Sequence, residues 1–156
     1  MRTLISTLAI FVACIGCGLA EPLVIERGPS ANTTKPNMAQ IERCRNSMHI
    51  NPTVEIEPLG LFISTGMDTS IAFKFIAKTN DPKTIFDPAA VNSSKFKNVD
   101  SYYKFHEYFV DEDWWDVSQQ KLNGGSFTLP DVKFLNLGYK PNDDDTITVY
   151  AYWHET

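Results

Sequence analysis

The chain has 156 residues, of which 43% are hydrophobic and 12% aromatic, and its 14 basic and 19 acidic residues give a net charge of −5. A chain with an excess of acidic residues is not expected to attract nucleic acid or an anionic membrane surface, so neither is expected as a partner. The length fits one domain that can bury a core without disulfide support.

The first twenty residues predict a secretory signal peptide that is removed after Ala20. Arg2 supplies the positive start, and residues 4–15 form an apolar stretch shorter than the about 20 residues that span a bilayer. A lipoprotein signal would use Cys14 or Cys17, but the residues before each cysteine fit that pattern poorly. We therefore expect a secreted, extracellular protein of 136 residues with a net charge of −6 and no membrane insertion after cleavage.

Cys44 is the one cysteine of the expected mature chain, so the fold cannot be a disulfide scaffold. Its thiol is expected either to be buried as a small hydrophobic group or to link two copies in a disulfide-bonded homodimer. Two Asn-x-Ser/Thr motifs, at Asn32 and Asn92, predict N-glycosylation in a secretory pathway.

The mature chain is expected to begin with a flexible segment, residues 21–36, in which proline, glycine and polar residues interrupt any apolar pattern. A single β-rich domain, residues 37–156, follows in this interpretation. Its first element is a short amphipathic helix over residues 37–48, predicted from apolar residues three to four apart and capped by Asn37. A helix of this length is marginal alone, so it must pack on a sheet.

Alternating apolar residues predict strands in the rest of the domain. Residues 53–57 predict a strand that Pro58 and Gly60 interrupt, after which apolar positions resume. Residues 69–79 predict a second strand, paired with this first region in a hairpin. The clearest strand covers residues 146–154, in which one face carries Ile147, Val149, Ala151 and Trp153 and the other carries polar and amphipathic side chains.

The middle of the chain gives weaker signals. Residues 80–98 predict a long irregular connection, and residues 102–110 fit either a strand or a helix, with their aromatic content favouring the strand. Asn123-Gly124 is the strongest hairpin dipeptide, and residues 132–137 predict another strand. Seven or eight short strands without alternating helices predict an all-β fold, an antiparallel β-sandwich of immunoglobulin-like architecture with one short N-terminal helix.

The sequence contains no decisive catalytic or metal-binding motif. The histidines lack paired metal-ligand spacing, and no nucleophile elbow is present. A small secreted hydrolase using a carboxylate pair is kept as an alternative, because acidic residues are abundant. A calcium-dependent β-sandwich is another, with Asp143 and Asp145 as ligands, although such an acidic run is more often a solvated loop. No other cofactor is expected.

Aromatic side chains beside carboxylates favour a non-enzymatic binding module for an extracellular protein, ahead of a carbohydrate. Neighbouring residues on a strand point to opposite sides, so one of Trp114 and Trp115 should fill the core while the other reaches the surface. The alternative is that a second layer, formed by the helix or by the long connection, covers these aromatic side chains. The predicted binding residues are Trp114, Trp115, Asp113, Asp116, Tyr150 and Tyr152.

Overall fold

The computed structural model describes residues 30–66, 68–99 and 112–155, without the side chains of residues 98 and 99. This part of the chain forms one α-helix and seven β-strands, with short 3-10 turns at Pro82–Thr84, Ser93–Lys95 and Val117–Gln119. In chain order the main elements are β1 (Ala31–Thr33), α1 (Met38–Met48), β2 (Ile56–Thr65), β3 (Thr69–Ala77), β4 (Lys97–Val99), β5 (Leu122–Leu129), β6 (Lys133–Pro141) and β7 (Ile147–Glu155).

The seven strands pair in a single antiparallel sheet with the order β1-β2-β3-β7-β6-β5-β4. Strand β7 lies between β3 and β6, so it joins one half built from β1 to β3 to another built from β4 to β6. The prediction of an antiparallel, mostly β fold with one helix is confirmed. The two-sheet sandwich is not confirmed, because the described strands all belong to one sheet.

Helix α1 covers one face of this sheet. The Asn37 side chain accepts the Gln40 backbone N–H at 3.0 Å, and the Gln40 side chain accepts the Asn37 backbone N–H at 2.9 Å. This reciprocal pair satisfies N–H groups that have no partner within the helix. Cys44 and Met48 are the buried residues of α1 and belong to the main hydrophobic core. We call the sheet face that α1 covers the helix face.

The alternation predicted for β7 is confirmed. On the helix face its apolar residues pack with those of β3, and Ile71, Phe73 and Phe75 are completely or almost completely buried. On the opposite face, Tyr150 and Tyr152 belong to a second, smaller cluster. The residues of β7 in the main core are Ile147, Val149, Ala151 and Trp153.

The predicted hairpin between β2 and β3 is confirmed, with Thr65 opposite Thr69. The predicted interruption at Pro58 and Gly60 is wrong, because β2 runs through both residues. The pairing register shifts between them, which leaves Leu59 as the extra residue of a bulge. A bulge lets the strand continue where a proline and a glycine would otherwise break the ladder.

The predicted hairpin turn at Asn123-Gly124 is also wrong, because both residues lie inside β5. A Cβ on Gly124 would stand 2.0 Å from the backbone oxygen of Leu137, so this glycine permits β5 and β6 to approach closely. The turn between these two strands lies instead at residues 130–132, beyond the last pair, Leu129 with Lys133.

Part of the segment predicted to be flexible is in the sheet, since Ala31–Thr33 pairs with residues 61–63 as strand β1. The predictions for the signal peptide, residues 1–20, and for residues 102–110 lie outside the described residues. Within the described ranges, no helix is both long and apolar enough to cross a membrane.

Candidate functional site

Residues 112–120 cross the sheet on the face opposite α1, and we call them the strap and that face the strap face. Glu112 lies over the β1 edge, where its carboxylate accepts a hydrogen bond from the Asn32 side chain at 2.5 Å. The Trp114 ring lies against the backbone of Gly60 on β2. Trp115 meets Tyr150 of β7 edge to face, with ring centroids 5.7 Å apart. The strap therefore spans several strands before the chain enters β5.

Asp116 is the polar centre of the strap. Its carboxylate accepts hydrogen bonds from Lys74 Nζ at 2.6 Å, Tyr150 Oη at 2.8 Å and Gln120 Nε2 at 2.9 Å. Lys74 also donates to the backbone oxygen of Trp114 at 3.0 Å, and its ammonium group lies 5.0 Å from the centre of the Tyr150 ring. One lysine of β3 and one tyrosine of β7 therefore attach the strap to the centre of the sheet.

These contacts change the proton affinities of the groups involved. Burial alone would raise the pKa of Asp116, but hydrogen bonds from Lys74 and Tyr150, with the lysine charge, hold this pKa below its ordinary value. Burial raises the pKa of Tyr150, and the hydrogen bond to the Asp116 carboxylate raises it further. The phenol therefore stays protonated as a donor and the carboxylate stays ionised as an acceptor.

The structure brings most of the predicted binding residues together, and three of the six are buried. Trp115 is 7% exposed, Tyr152 is 6% exposed and Tyr150 is completely buried, so these three form the interior of a second layer. Of the two neighbouring tryptophans, Trp115 is the one in the interior. The strap packs over Tyr150, whereas helix α1 lies on the opposite face of the sheet. Trp114 is half-buried and Asp113 is exposed. The strap packs on this face because the tyrosine rings, with Ala72, Leu122 and Phe62, form an apolar cluster there.

A groove of about 330 Å³ opens on the strap face at the end of β5 and β6. Phe134 and His154 are cross-strand partners there, and their rings stack with centroids 5.2 Å apart and planes 20° apart. Hydroxyl and amide side chains surround this aromatic pair. The groove is lined by Ser126, Phe127, Thr128, Phe134, Asn136 and His154.

Three acidic residues and Lys133 lie at this end of the sheet. Asp68 lies in the turn before β3 and acts electrostatically on His154, and Asp131 lies in the turn between β5 and β6. Glu155 ends β7, where its carboxylate accepts the backbone N–H of Thr69 at 3.3 Å. Burial lowers the pKa of His154, although Asp68 opposes this effect. The imidazole is therefore uncharged near neutral pH.

Sequence reasoning missed this groove. The alternation in β6 was a usable signal, since Phe134 and Asn136 point away from the buried Leu135 and Leu137. The pairing of Phe134 with His154, however, depends on the register between β6 and β7, which strand patterns alone did not provide.

The calcium candidates lie in an exposed loop between β6 and β7. Asp143 and Asp145 are exposed, and Asp145 has a positive φ of 58°. Neighbouring Asp144 accepts a hydrogen bond from the Thr146 hydroxyl at 2.6 Å, and the Asn142 side chain donates to the same hydroxyl at 2.9 Å. Hydrogen bonds within the protein therefore account for the shape of this loop. Within the described ranges, no three acidic, histidine or cysteine side chains cluster as metal ligands do.

The remaining predicted residues lie outside the groove. Cys44 is completely buried in the core, which is the first of the two expected alternatives. Asn92 is exposed and accepts hydrogen bonds from the backbone and hydroxyl of Ser94, at 3.0 and 2.7 Å. Asn32 is exposed on the edge strand β1. Comparison with known proteins finds no matching family model, curated protein or solved structure.

Proposed function

We propose that the protein is a secreted, non-enzymatic module that binds an extracellular protein at the groove of the strap face. The observation that carries this proposal is the stacked pair of Phe134 and His154 in an open groove. Aromatic groups in partly enclosed sites contribute strongly to protein recognition, and the sheet beneath this pair provides a rigid base. The two tryptophans hold the strap on the sheet, so we assign partner binding to the groove residues of β5, β6 and β7.

The charge at this end favours a basic partner. Asp68 acts electrostatically on His154 in the groove, and Asp131 lies in the adjacent turn between β5 and β6, with Lys133 Nζ 3.8 Å from its carboxylate. The whole chain is acidic, with a net charge of −5. Complementary charge of this kind accelerates association and selects among partners.

A carbohydrate is the second candidate ligand. The aromatic rings are flanked by Thr128, Asn136 and Ser126, whose side chains can exchange hydrogen bonds with sugar hydroxyls. The hydrolase alternative has less support here, because the described residues that line the groove include no carboxylate pair.

The proposal includes export, with cleavage after Ala20 and glycosylation at Asn32 and Asn92. A eukaryotic cell expressing the full chain is expected to release a protein that begins at Glu21. Mass measurement before and after enzymatic removal of N-glycans tests both parts. Retention inside the cell with residues 1–20 still attached would contradict export.

Binding is tested with two arrays carrying defined probes. The first holds synthetic peptides with lysine or arginine around one apolar residue, each matched by an acidic peptide with glutamate in place of the bases. The second holds glycans. We expect the basic peptides to bind best. The Phe134→Ala substitution should lower their affinity at least about tenfold. Met38→Ala is the matched control, because Met38 is also apolar and is 78% exposed on helix α1.

Equal binding of basic and acidic peptides would contradict the charge argument. Binding that Phe134→Ala leaves unchanged would remove the groove as the site. Selective binding to glycans alone would replace the protein-binding proposal with carbohydrate binding.

A further inference from the structure

The turn between β5 and β6 has a conformation that suits its residues poorly. Asp131 and Val132 both have left-handed backbones, with φ of 59° and 56°. Aspartate tolerates this region, but a β-branched residue rarely adopts it, because its branched side chain crowds the backbone. Glycine or asparagine would be the ordinary choice at position 132.

Burial in the core does not explain why position 132 holds a valine. Val132 is 60% exposed, and within the described residues only Met38 is a more exposed large hydrophobic residue. The folded chain therefore holds an apolar side chain in solvent, on a backbone that disfavours it. Such strain points to a role other than stability.

We propose that Val132 is an apolar anchor for the partner at the groove, an inference that rests on the proposed function. Val132 lies two residues before Phe134, next to Asp131 at the turn. The occupant is a segment of another extracellular protein, in which basic residues flank an apolar one. The apolar residue contacts Val132 and the Phe134 ring, and the basic residues face Asp68 and Asp131.

The arrangement has a distinctive consequence for variants. Val132→Gly removes the side chain and relieves the backbone strain, so it should raise the unfolding midpoint while weakening binding. Val132→Asn also suits a left-handed backbone and should behave in the same way. Loss of one buried valine side chain from an interface corresponds to roughly a tenfold loss of affinity.

The experiment titrates the wild type and both variants with the basic array peptide that binds the wild type best, and records thermal unfolding of each protein. Met38→Ala, which removes a still more exposed apolar side chain elsewhere, should leave the affinity unchanged. We expect both Val132 variants to bind about tenfold more weakly and to unfold at a higher temperature.

The outcomes separate the two proposals. If Phe134→Ala abolishes binding while both Val132 variants bind normally, the groove is supported as the binding site and the role of Val132 as an anchor is refuted. If Val132→Gly and Val132→Asn both unfold at a lower temperature, the strain argument is refuted. If no basic peptide binds the wild type, or if Phe134→Ala binds like the wild type, the proposed function fails and the anchor fails with it.

Discussion

The indole of Trp114 lies so close to Gly60 that a Cβ added to this glycine would stand 2.1 Å from Cδ2 and Cε3 of the ring. Gly60 belongs to β2 and Trp114 belongs to the strap, 54 positions later in the chain. The glycine follows the bulged Leu59, so the strand is irregular at the place where the indole rests. The Trp114 ring can therefore take this position only because residue 60 of β2 has no side chain.

Replacing Gly60 with alanine should displace the indole and destabilise the protein. The clash involves a ring held between the sheet and the strap, so relief requires movement of the strap. We expect a loss of about 1–3 kcal/mol in the free energy of unfolding, typical of an overpacked site. Denaturant unfolding followed by tryptophan fluorescence measures the effect.

Gly66→Ala is the matched control for this substitution. A Cβ on Gly66 would meet nothing within 4 Å, and the backbone there does not have a positive φ. Its stability should stay within about 0.5 kcal/mol of the wild type. Equal stability losses for Gly60→Ala and Gly66→Ala would show that the contact with Trp114 is unimportant.

The two neighbouring tryptophans should differ in their contribution to stability. Trp115→Ala removes a ring that is 7% exposed and contacts Tyr150, so we expect a loss of about 3–5 kcal/mol. Trp114→Ala removes a half-buried ring and should cost less. Chemical denaturation of both variants gives the comparison, and a larger loss for Trp114→Ala would reverse the assignment of Trp115 as the core residue.

Asp116→Asn should loosen the strap without changing the shape of the side chain. The variant leaves Lys74, whose side chain is 13% exposed, without its ionic partner, and we expect a loss of about 2 kcal/mol near neutral pH. The pKa of Asp116 is lowered in the folded protein, so its contribution is present above the unfolded value of about 3.9. This contribution disappears as the pH falls through the folded value.

The difference in stability between the wild type and Asp116→Asn should therefore shrink in acid. Unfolding curves recorded from neutral to acidic pH measure this difference. Asp113→Asn, at the exposed neighbouring carboxylate, should have little effect at any of these pH values. A difference that grows in acid would contradict the role assigned to the Asp116 carboxylate.

Cys44 should be unreactive in the folded protein. Burial raises the pKa of this thiol to about 12, so the nucleophilic thiolate is scarce near neutral pH. A thiol-specific reagent is expected to label Cys44 only after denaturation, and a non-reducing gel should show a single monomer band. Rapid labelling of the native protein would contradict the burial of Cys44, and a band of doubled mass would support the disulfide-linked homodimer.

Local patterns predicted the elements whose side chains alternate between distinct environments. Asn37 predicted the start of α1, and the alternation from Ile147 to Trp153 predicted the core face of β7. Both signals come from a few neighbouring residues. Their physical causes, a capping hydrogen bond and burial on one side of a strand, act over the same short distance.

Features that depend on distant contacts were mispredicted or missed. Gly124 suggested a turn, although its role is close approach to Leu137 on the next strand. Tyr150 suggested an open aromatic surface, but its hydroxyl donates to Asp116 under the strap. Each role depends on a partner that local pattern does not specify, since a glycine or a tyrosine looks the same in sequence whatever it later contacts.

The position of β7 within the sheet also determines the order in which the fold can be completed. During synthesis, the β2–β3 and β5–β6 hairpins can each form early, but neither has its neighbour across the centre until Ile147–Glu155 has been made. Hairpins that form early would have unpaired inner edges until β7 inserts between them, and such edges are sites for aggregation. These inner edges are therefore open to incorrect pairing until β7 has been synthesised.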